Sequence, residues 1–197
     1  MGGYENAVNC RRIESGKIRR TKRISRSECR MSMIGCFLMV TESTLADLVQ
    51  HPKKIEKFVY SEEEDPQTPD PHCDVDKAWQ IIHFLLTGDS YEGSPPERNV
   101  IFGKNIFSDE IDFGYGPASF LNVAEVKEVH RFLQGLSAEE LWNRFDREAV
   151  RKVNVYPENY WTGDEEDREY VTDHYLDLVD FYARASENNL CVIQYIS

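Results

Sequence analysis

The sequence lacks any apolar run long enough to span a membrane. Its longest apolar stretches, such as Met33–Val40 and Ile81–Leu86, are far shorter than the roughly 20 residues that a transmembrane helix requires. Its five cysteines are widely spaced, and no two of them form a CxxC pair. This spacing argues against a zinc ribbon or a disulfide framework and favours a reducing, cytoplasmic location.

Motifs that carry catalytic chemistry are also missing. The chain has no GxSxG nucleophile elbow, no GxGxxG fingerprint and no phosphate-binding P-loop. Cys73 lies in an acidic segment, where neighbouring carboxylates disfavour a reactive thiolate. Two clusters of possible metal ligands, at 72–76 and 173–177, lack a standard ligand spacing. We therefore predict no catalytic residues, no metal site and no cofactor.

Charge is distributed unevenly along the chain. Residues 1–30 contain nine basic and three acidic side chains, whereas the remaining residues contain 14 basic and 32 acidic ones, a net charge of −18. So negative a body repels the phosphate backbone of nucleic acids and attracts basic molecules. For residues 31–197 this pattern predicts no nucleic-acid binding, and it favours a basic protein partner.

The basic segment at residues 1–30 is expected to be separate from the body. It is polar, and it lacks the apolar block of a secretory signal, so it cannot bury enough surface to fold alone. Three interpretations stay open. Met31 is the natural start and the upstream residues are not native; or the segment is a basic arm that contacts nucleic acid or the acidic body; or it is an organelle-targeting peptide.

Hydrophobic patterning predicts one packed domain over residues 31–197, with 41% apolar residues in the whole chain. Met33–Val40 and Leu190–Ile196 are apolar runs typical of buried strands, and Val100–Phe102 indicates a shorter strand. The acidic, proline-containing segment 61–74 predicts an exposed loop.

Capping residues predict where several helices begin. Asn122 with Glu125, and Ser137 with Glu140, have the spacing of capping boxes. The acidic turn at 164–167 is favourable at the start of a long amphipathic helix because of the helix dipole. A further helix is predicted from about Val75 to Thr87, with Gly88 as its C-terminal stop.

The polar strip of this 75–87 helix provides the first candidate site. Asp76, Gln80, His83 and Thr87 share one face, with Asp76 and His83 about 10 Å apart, too far for a direct hydrogen bond. The functional interpretation is a general base or a ligand contact, with the helix dipole favouring charged His83. The structural interpretation is that the strip packs against the Gly114–Pro117 loop, whose backbone accepts a hydrogen bond from His83.

Two aromatic segments provide further candidates. Tyr115 and Gly116 lie in a Gly-Tyr-Gly-Pro segment, where glycines allow a close approach to a ligand but are more typical of a tight turn. Tyr156 and Trp161 could form an aromatic wall for a ligand or a docking surface, or instead a small satellite core.

One ordered set of motifs runs along the chain: Met31–Phe37, Asp76–Gly88, Phe113–Ala118, Val155–Pro157 with Trp161, and a terminal long helix followed by an apolar strand. Together these motifs resemble the bacterial YfbM-like family. The resemblance covers residues 31–197 and implies a single, three-layer α/β/α-type mixed domain, bacterial and cytoplasmic, with no activity firmly attached.

Two hypotheses about function follow. The first is a non-enzymatic, acidic protein that binds a basic partner, for example an inhibitor of the immunity or antitoxin type, through exposed acidic segments at 61–65 and 164–167. The second is an enzyme or sensor that binds a small molecule in a pocket between His83, Tyr115 and Tyr156. The first is favoured, because no reactive centre is recognisable; the oligomeric state and the partner's identity do not follow from the sequence.

Overall fold

The computed structural model describes residues 32–61 and 70–197. The expectations for residues 1–30 and for the acidic run at 62–65 therefore lie outside the described residues. The helices and strands, in chain order, are β1 (Gly35–Val40), α1 (Glu42–Gln50), α2 (Ile55–Val59), β2 (His72–Asp74), α3 (Trp79–Thr87), β3 (Asn105–Ile106), β4 (Ser119–Leu121), α4 (Val123–Leu133), α5 (Ala138–Trp142), α6 (Arg147–Lys152), α7 (Glu165–Glu187) and β5 (Cys191–Ile196).

The strands described form one antiparallel sheet in the order β2-β1-β5-β4-β3. Its centre is the pairing of the first and last strands, which runs from Gly35 opposite Ile196 to Val40 opposite Cys191. Both strands were predicted from their apolar runs, and both are buried along most of their length. The chain therefore closes its domain by placing its C-terminal strand beside its first one.

The two faces of this sheet pack against different helices. Phe37 and Met39 of β1 belong to a core cluster shared with α3, α4 and α7, whereas Leu38 and Val40 belong to a second cluster shared with α1 and α2. This division follows from the alternation of side chains along a strand. Helices thus cover both faces, and the three-layer mixed α/β domain implied by the family resemblance is confirmed.

Local capping chemistry explains where the helices begin. The predicted capping boxes, Asn122 with Glu125 at α4 and Ser137 with Glu140 at α5, are both present with reciprocal hydrogen bonds. Gly88 ends α3 in the left-handed conformation, with φ of 80°, as its position predicted. Among the described residues, no helix is both long and apolar enough to cross a membrane.

Two local predictions were wrong, and a third, the helix from about Val75 to Thr87, holds with a change in its first turn. His72–Asp74 forms the edge strand β2, although the segment 61–74 was expected to be a loop throughout. Val100–Phe102 was predicted as a strand but does not form one, and Val100 instead ends a 3-10 helix at Arg98–Val100. The helix expected from Val75 begins as a 3-10 helix at Asp76–Ala78 and becomes α-helical only at Trp79.

Candidate functional site

The polar strip predicted on α3 is covered rather than open. Gln80 is 2% exposed and His83 is 0% exposed, and every residue of α3 before Thr87 is buried. The apolar side of α3 packs in the core, and the loop that follows the helix, residues 88–93, covers its polar side. A ligand could therefore reach His83 only if this loop moved.

Backbone groups form hydrogen bonds with Gln80 and with one ring nitrogen of His83. Gln80 Oε1 accepts a hydrogen bond from the Tyr156 N–H at 2.6 Å, and its Nε2 donates to the Ser90 carbonyl at 3.2 Å. His83 Nε2 lies 3.1 Å from the Glu92 carbonyl, so this nitrogen carries the proton that is donated. The sequence predicted that His83 would donate to a backbone carbonyl of the Gly114–Pro117 loop. The acceptor in the structure is instead the carbonyl of Glu92.

Burial determines the protonation of His83. Removal from water lowers the pKa of the imidazole to about 4, with a smaller effect in the same direction from Arg98. The hydrogen bond to Glu92 and the charge of Asp89 act in the opposite direction. The ring is therefore neutral near pH 7, and the expectation that the helix dipole would favour its charged form was wrong because desolvation is the larger effect.

Asp76 is separated from the rest of the strip. Its φ of 43° lies in the left-handed region, and its carboxylate accepts a hydrogen bond from the Tyr170 hydroxyl of α7 at 2.9 Å. The same hydroxyl accepts from the Lys77 N–H at 3.2 Å. Burial, followed by the charge of Asp76, raises the pKa of Tyr170. Asp76 thus joins α7 to the start of α3 instead of facing His83.

Tyr156 and Trp161 lie beside the start of α3. The Tyr156 ring stacks on Trp79 with centroids 5.9 Å apart, and its hydroxyl accepts from the Met33 N–H at 3.1 Å. Trp161 is buried in the main core and donates from Nε1 to the Tyr156 carbonyl at 3.0 Å. Together with Gln80 they form a contiguous aromatic and polar cluster.

Tyr115 and Gly116 occupy a different region. They lie in a tight turn in which Asp112 Oδ1 accepts from the N–H groups of Gly114 and Gly116 at 2.7 and 2.8 Å. The adjacent Phe113 packs in the core cluster of α1 and α2, on the sheet face opposite α3. The structure therefore brings Gln80 and Tyr156 together, places His83 one helical turn further along α3, and does not bring Tyr115 to them.

The acidic turn before α7 is used within the fold. Asp164 caps the helix by accepting from the Asp167 N–H at 3.0 Å. Asp167 is buried and accepts from the N–H groups of Thr162 and Gly163 at 2.6 and 2.9 Å. These two carboxylates are thus occupied by structural hydrogen bonds.

A longer acidic surface runs along α7 itself. The helix has 23 residues, a length of about 35 Å. At 100° per residue, the exposed acidic side chains other than Glu165, which pairs with Arg168, fall within an arc of about 100°. Leu176, at one edge of this arc, is 52% exposed. We call this surface the α7 strip, and it consists of Glu166, Glu169, Asp173, Leu176, Asp177, Asp180 and Glu187.

Few of the carboxylates in the α7 strip are neutralised. Asp180 pairs with Arg184 at 2.9 Å, and Asp177 lies 3.8 Å from the ring of His174. Within residues 32–61 and 70–197, Glu166, Glu169 and Asp173 form no ion pair. Sequence periodicity predicted the buried face of this helix. The acidic face opposite to it was not predicted as a site, although the same periodicity places its carboxylates together.

Within residues 32–61 and 70–197, no group of three or more His, Cys, Asp or Glu side chains is arranged to hold a metal ion.

Comparisons with known proteins agree on the family. A family model described as a domain of unknown function, DUF1877, matches residues 31–195. Protein YfbM of Escherichia coli (strain K12) is 27% identical over 134 residues, which are 64% of this chain and 74% of that protein. A crystal structure of YfbM from Escherichia coli, described as a protein of unknown function, superposes with a TM-score of 0.64 at 20% identity, covering 84% of this chain and all of that one. The chain therefore belongs to the DUF1877 family, which confirms its resemblance to YfbM.

Proposed function

We propose that this protein is a non-enzymatic binding protein and that the α7 strip is its contact surface for a basic protein partner. The observation that carries this proposal is the row of unpaired carboxylates, Glu166, Glu169 and Asp173, on one exposed helix face. The partner is defined by chemistry: a protein surface, most simply one face of a helix, that presents lysine or arginine side chains over about 10 Å, the distance along α7 from Glu166 to Asp173.

Self-repulsion in the α7 strip supports this proposal. Glu166 and Glu169 are three residues apart, and Glu169 and Asp173 are four apart, so their carboxylates are direct neighbours on the helix. Each such like-charge pair destabilises a helix by about 0.2–0.5 kcal/mol. A cationic partner would reverse this cost, because each carboxylate would then face an opposite charge.

Leu176 supplies an apolar contact within the same surface. A half-exposed leucine is common on protein surfaces, but here it lies among the carboxylates of the strip. Apolar contacts near the centre of an interface contribute most of the affinity, whereas exposed charges at the rim mainly increase the association rate. Leu176 is therefore expected to determine the dissociation rate, and the carboxylates the rate of encounter.

The small-molecule hypothesis receives less support from the geometry. His83 has no exposed surface, and Tyr115 lies on the other side of the sheet. A pocket that joins His83, Tyr115 and Tyr156 would require rearrangement of the core.

The test is a comparison of two charge-matched variants. The α7 variant carries Glu166→Gln, Glu169→Gln and Asp173→Asn; the control variant carries Asp109→Asn, Glu110→Gln and Glu139→Gln, which neutralise three exposed carboxylates elsewhere. Each protein is used to capture partners at low salt from the cells that encode it. The captured protein is then purified and titrated against each variant.

The proposal predicts one basic protein that binds wild type and the control variant with defined stoichiometry. Its affinity for the α7 variant should fall at least tenfold, and its affinity for wild type should decrease steeply between 50 and 500 mM salt, as expected for about three lost charge contacts. Equal affinities for the two variants, or no stoichiometric partner at low salt, would refute the proposal.

A further inference from the structure

The loop that covers His83 has the construction of a movable strap. Residues 88–93 contain no helix or strand, and all of them except Ser90 are exposed. We call this segment the strap. It lies over the polar side of α3 and separates His83 from solvent.

Side chains of α3 hold the strap in place. Gln80 donates to the Ser90 carbonyl, His83 to the Glu92 carbonyl, and Thr87 Oγ1 to the Asp89 carbonyl at 3.1 Å. One apolar anchor adds to these bonds, because the ring of Tyr91, itself 55% exposed, contacts Trp79 and Phe102 at centroid distances of 6.5 and 6.0 Å. Segments with so few buried apolar contacts have low local stability.

The strap is also compact within itself and flanked by glycines. Asp89 Oδ1 accepts from the N–H groups of Tyr91 and Glu92 at 3.0 and 2.9 Å, so its middle residues keep their shape when the outer contacts break. Gly88 and Gly93 have φ of 80° and 151°, and glycine changes such angles at little cost. These two positions can act as hinges.

We propose that the strap opens as a unit about Gly88 and Gly93, that opening exposes Trp79, His83 and Phe102, and that protonation of His83 drives it. This inference is independent of the proposed role of the α7 strip, since it concerns a different surface.

The environment of His83 explains the response to acid. Within the described residues, His83 Nδ1 is buried without a hydrogen-bond partner. Asp89 on the strap favours a positive charge on the His83 ring, and Arg98 disfavours that charge. The helix α3 itself, Trp79–Thr87, contains no other ionisable side chain. Protonation would therefore place an unpaired charge in the closed structure, and opening would return it to water.

The size of the effect follows from the two protonation equilibria. The pKa of His83 is about 4 when the strap is closed and returns towards the ordinary 6.5 when the ring is solvated. Opening should then be about 30-fold more favourable at pH 5 than at pH 8.

Limited proteolysis after Glu92 measures this opening. A glutamyl endopeptidase cleaves here only when the strap has left α3. Each cleavage rate is divided by the cleavage rate of a free peptide of residues 86–97, which removes the pH dependence of the protease itself. In wild type, the normalised rate should rise about 30-fold from pH 8 to pH 5 and should be insensitive to low urea, as expected for local opening.

Two variants make the test specific. His83→Gln keeps an amide donor for the Glu92 carbonyl but cannot be protonated, so its normalised rate should not change between pH 8 and pH 5. Tyr91→Ala should raise the rate at every pH, whereas Tyr160→Ala, which removes an equally exposed ring (57%) outside the strap, should not. The proposal is overturned by no cleavage after Glu92, by equal pH dependence in wild type and His83→Gln, or by cleavage that tracks global unfolding.

Discussion

Replacing Gly35 by alanine should destabilise the domain substantially. Gly35 begins β1 and faces the start of α3, and a Cβ added there would lie 2.6 Å from Trp79 Cβ and 3.0 Å from Val75 Cγ2. Trp79 Cβ is attached directly to the helix backbone, so it cannot move away as a flexible side-chain end could. The strand and the helix must therefore separate.

The expected cost is that of overpacking a core, about 1–3 kcal/mol. For a domain of this size, each kcal/mol lowers the melting temperature by about 2–4 °C, so Gly35→Ala should lower it by roughly 2–12 °C. The matched control is Gly135→Ala. A Cβ at Gly135 would meet only the Phe132 carbonyl at 3.5 Å, an ordinary contact, and its φ is not in the left-handed region.

Gly135→Ala should therefore leave stability unchanged or raise it by up to about 1 kcal/mol, because alanine restricts the unfolded chain. Urea unfolding followed by circular dichroism, together with thermal melts, measures both variants. Changes of the same sign and size in the two variants would refute the packing argument, as would a Gly35→Ala protein as stable as wild type.

Three further outcomes are expected. Asp167→Asn should lower the free energy of unfolding by about 1–3 kcal/mol in urea titrations, because the buried carboxylate accepts from two backbone N–H groups; an unchanged midpoint would contradict this. The contribution of His83 to the free energy of unfolding is fully present above pH 6.5 and is lost as the pH falls towards 4, with about 2 kcal/mol lost by pH 5. Unfolding of wild type and His83→Gln, compared across that pH range, measures this loss. Parallel pH profiles of the two proteins would contradict it. Burial raises the pKa of the Cys191 thiol to about 11. Iodoacetamide at pH 8 should therefore leave Cys191 unmodified in the native protein, as measured by peptide mass spectrometry. Rapid labelling of Cys191 would contradict its burial.

Local sequence features predicted the parts of the fold that depend on local chemistry. The two central strands follow from apolar runs, and the starts of α4 and α5 follow from capping boxes that need only four consecutive residues. Gly88 ended α3 as expected, because a left-handed residue after a helix favours glycine.

Features that depend on distant partners could not be predicted in the same way. β2 contains three residues of a proline-containing segment and exists because β1 offers it an open edge. The periodicity of α3 identified Gln80 and His83 as one polar face, but nothing local indicated that residues 88–93 would fold back over that face.

The candidate site was affected by the same limit. His83 and Tyr115 were expected to converge, but Phe113 anchors the turn at 112–116 in the core cluster of α1 and α2, on the opposite face of the sheet. Likewise, the acidic turn at 164–167 was identified as a helix start, while its carboxylates, Asp164 and Asp167, turned out to be occupied by backbone groups. Among the described residues, Glu166 inside this turn, and Glu169 and Asp173 further along α7, form no ion pair.

Carboxylate footprinting with the isolated partner tests the central claim most directly. A water-soluble carbodiimide and an amine label exposed carboxylates, and mass spectrometry locates them with and without the partner. Binding through the α7 strip predicts that labelling of Glu166, Glu169 and Asp173 falls severalfold in the complex while that of Asp109 and Glu139 does not change. Unchanged labelling of the α7 carboxylates in a saturated complex would contradict it.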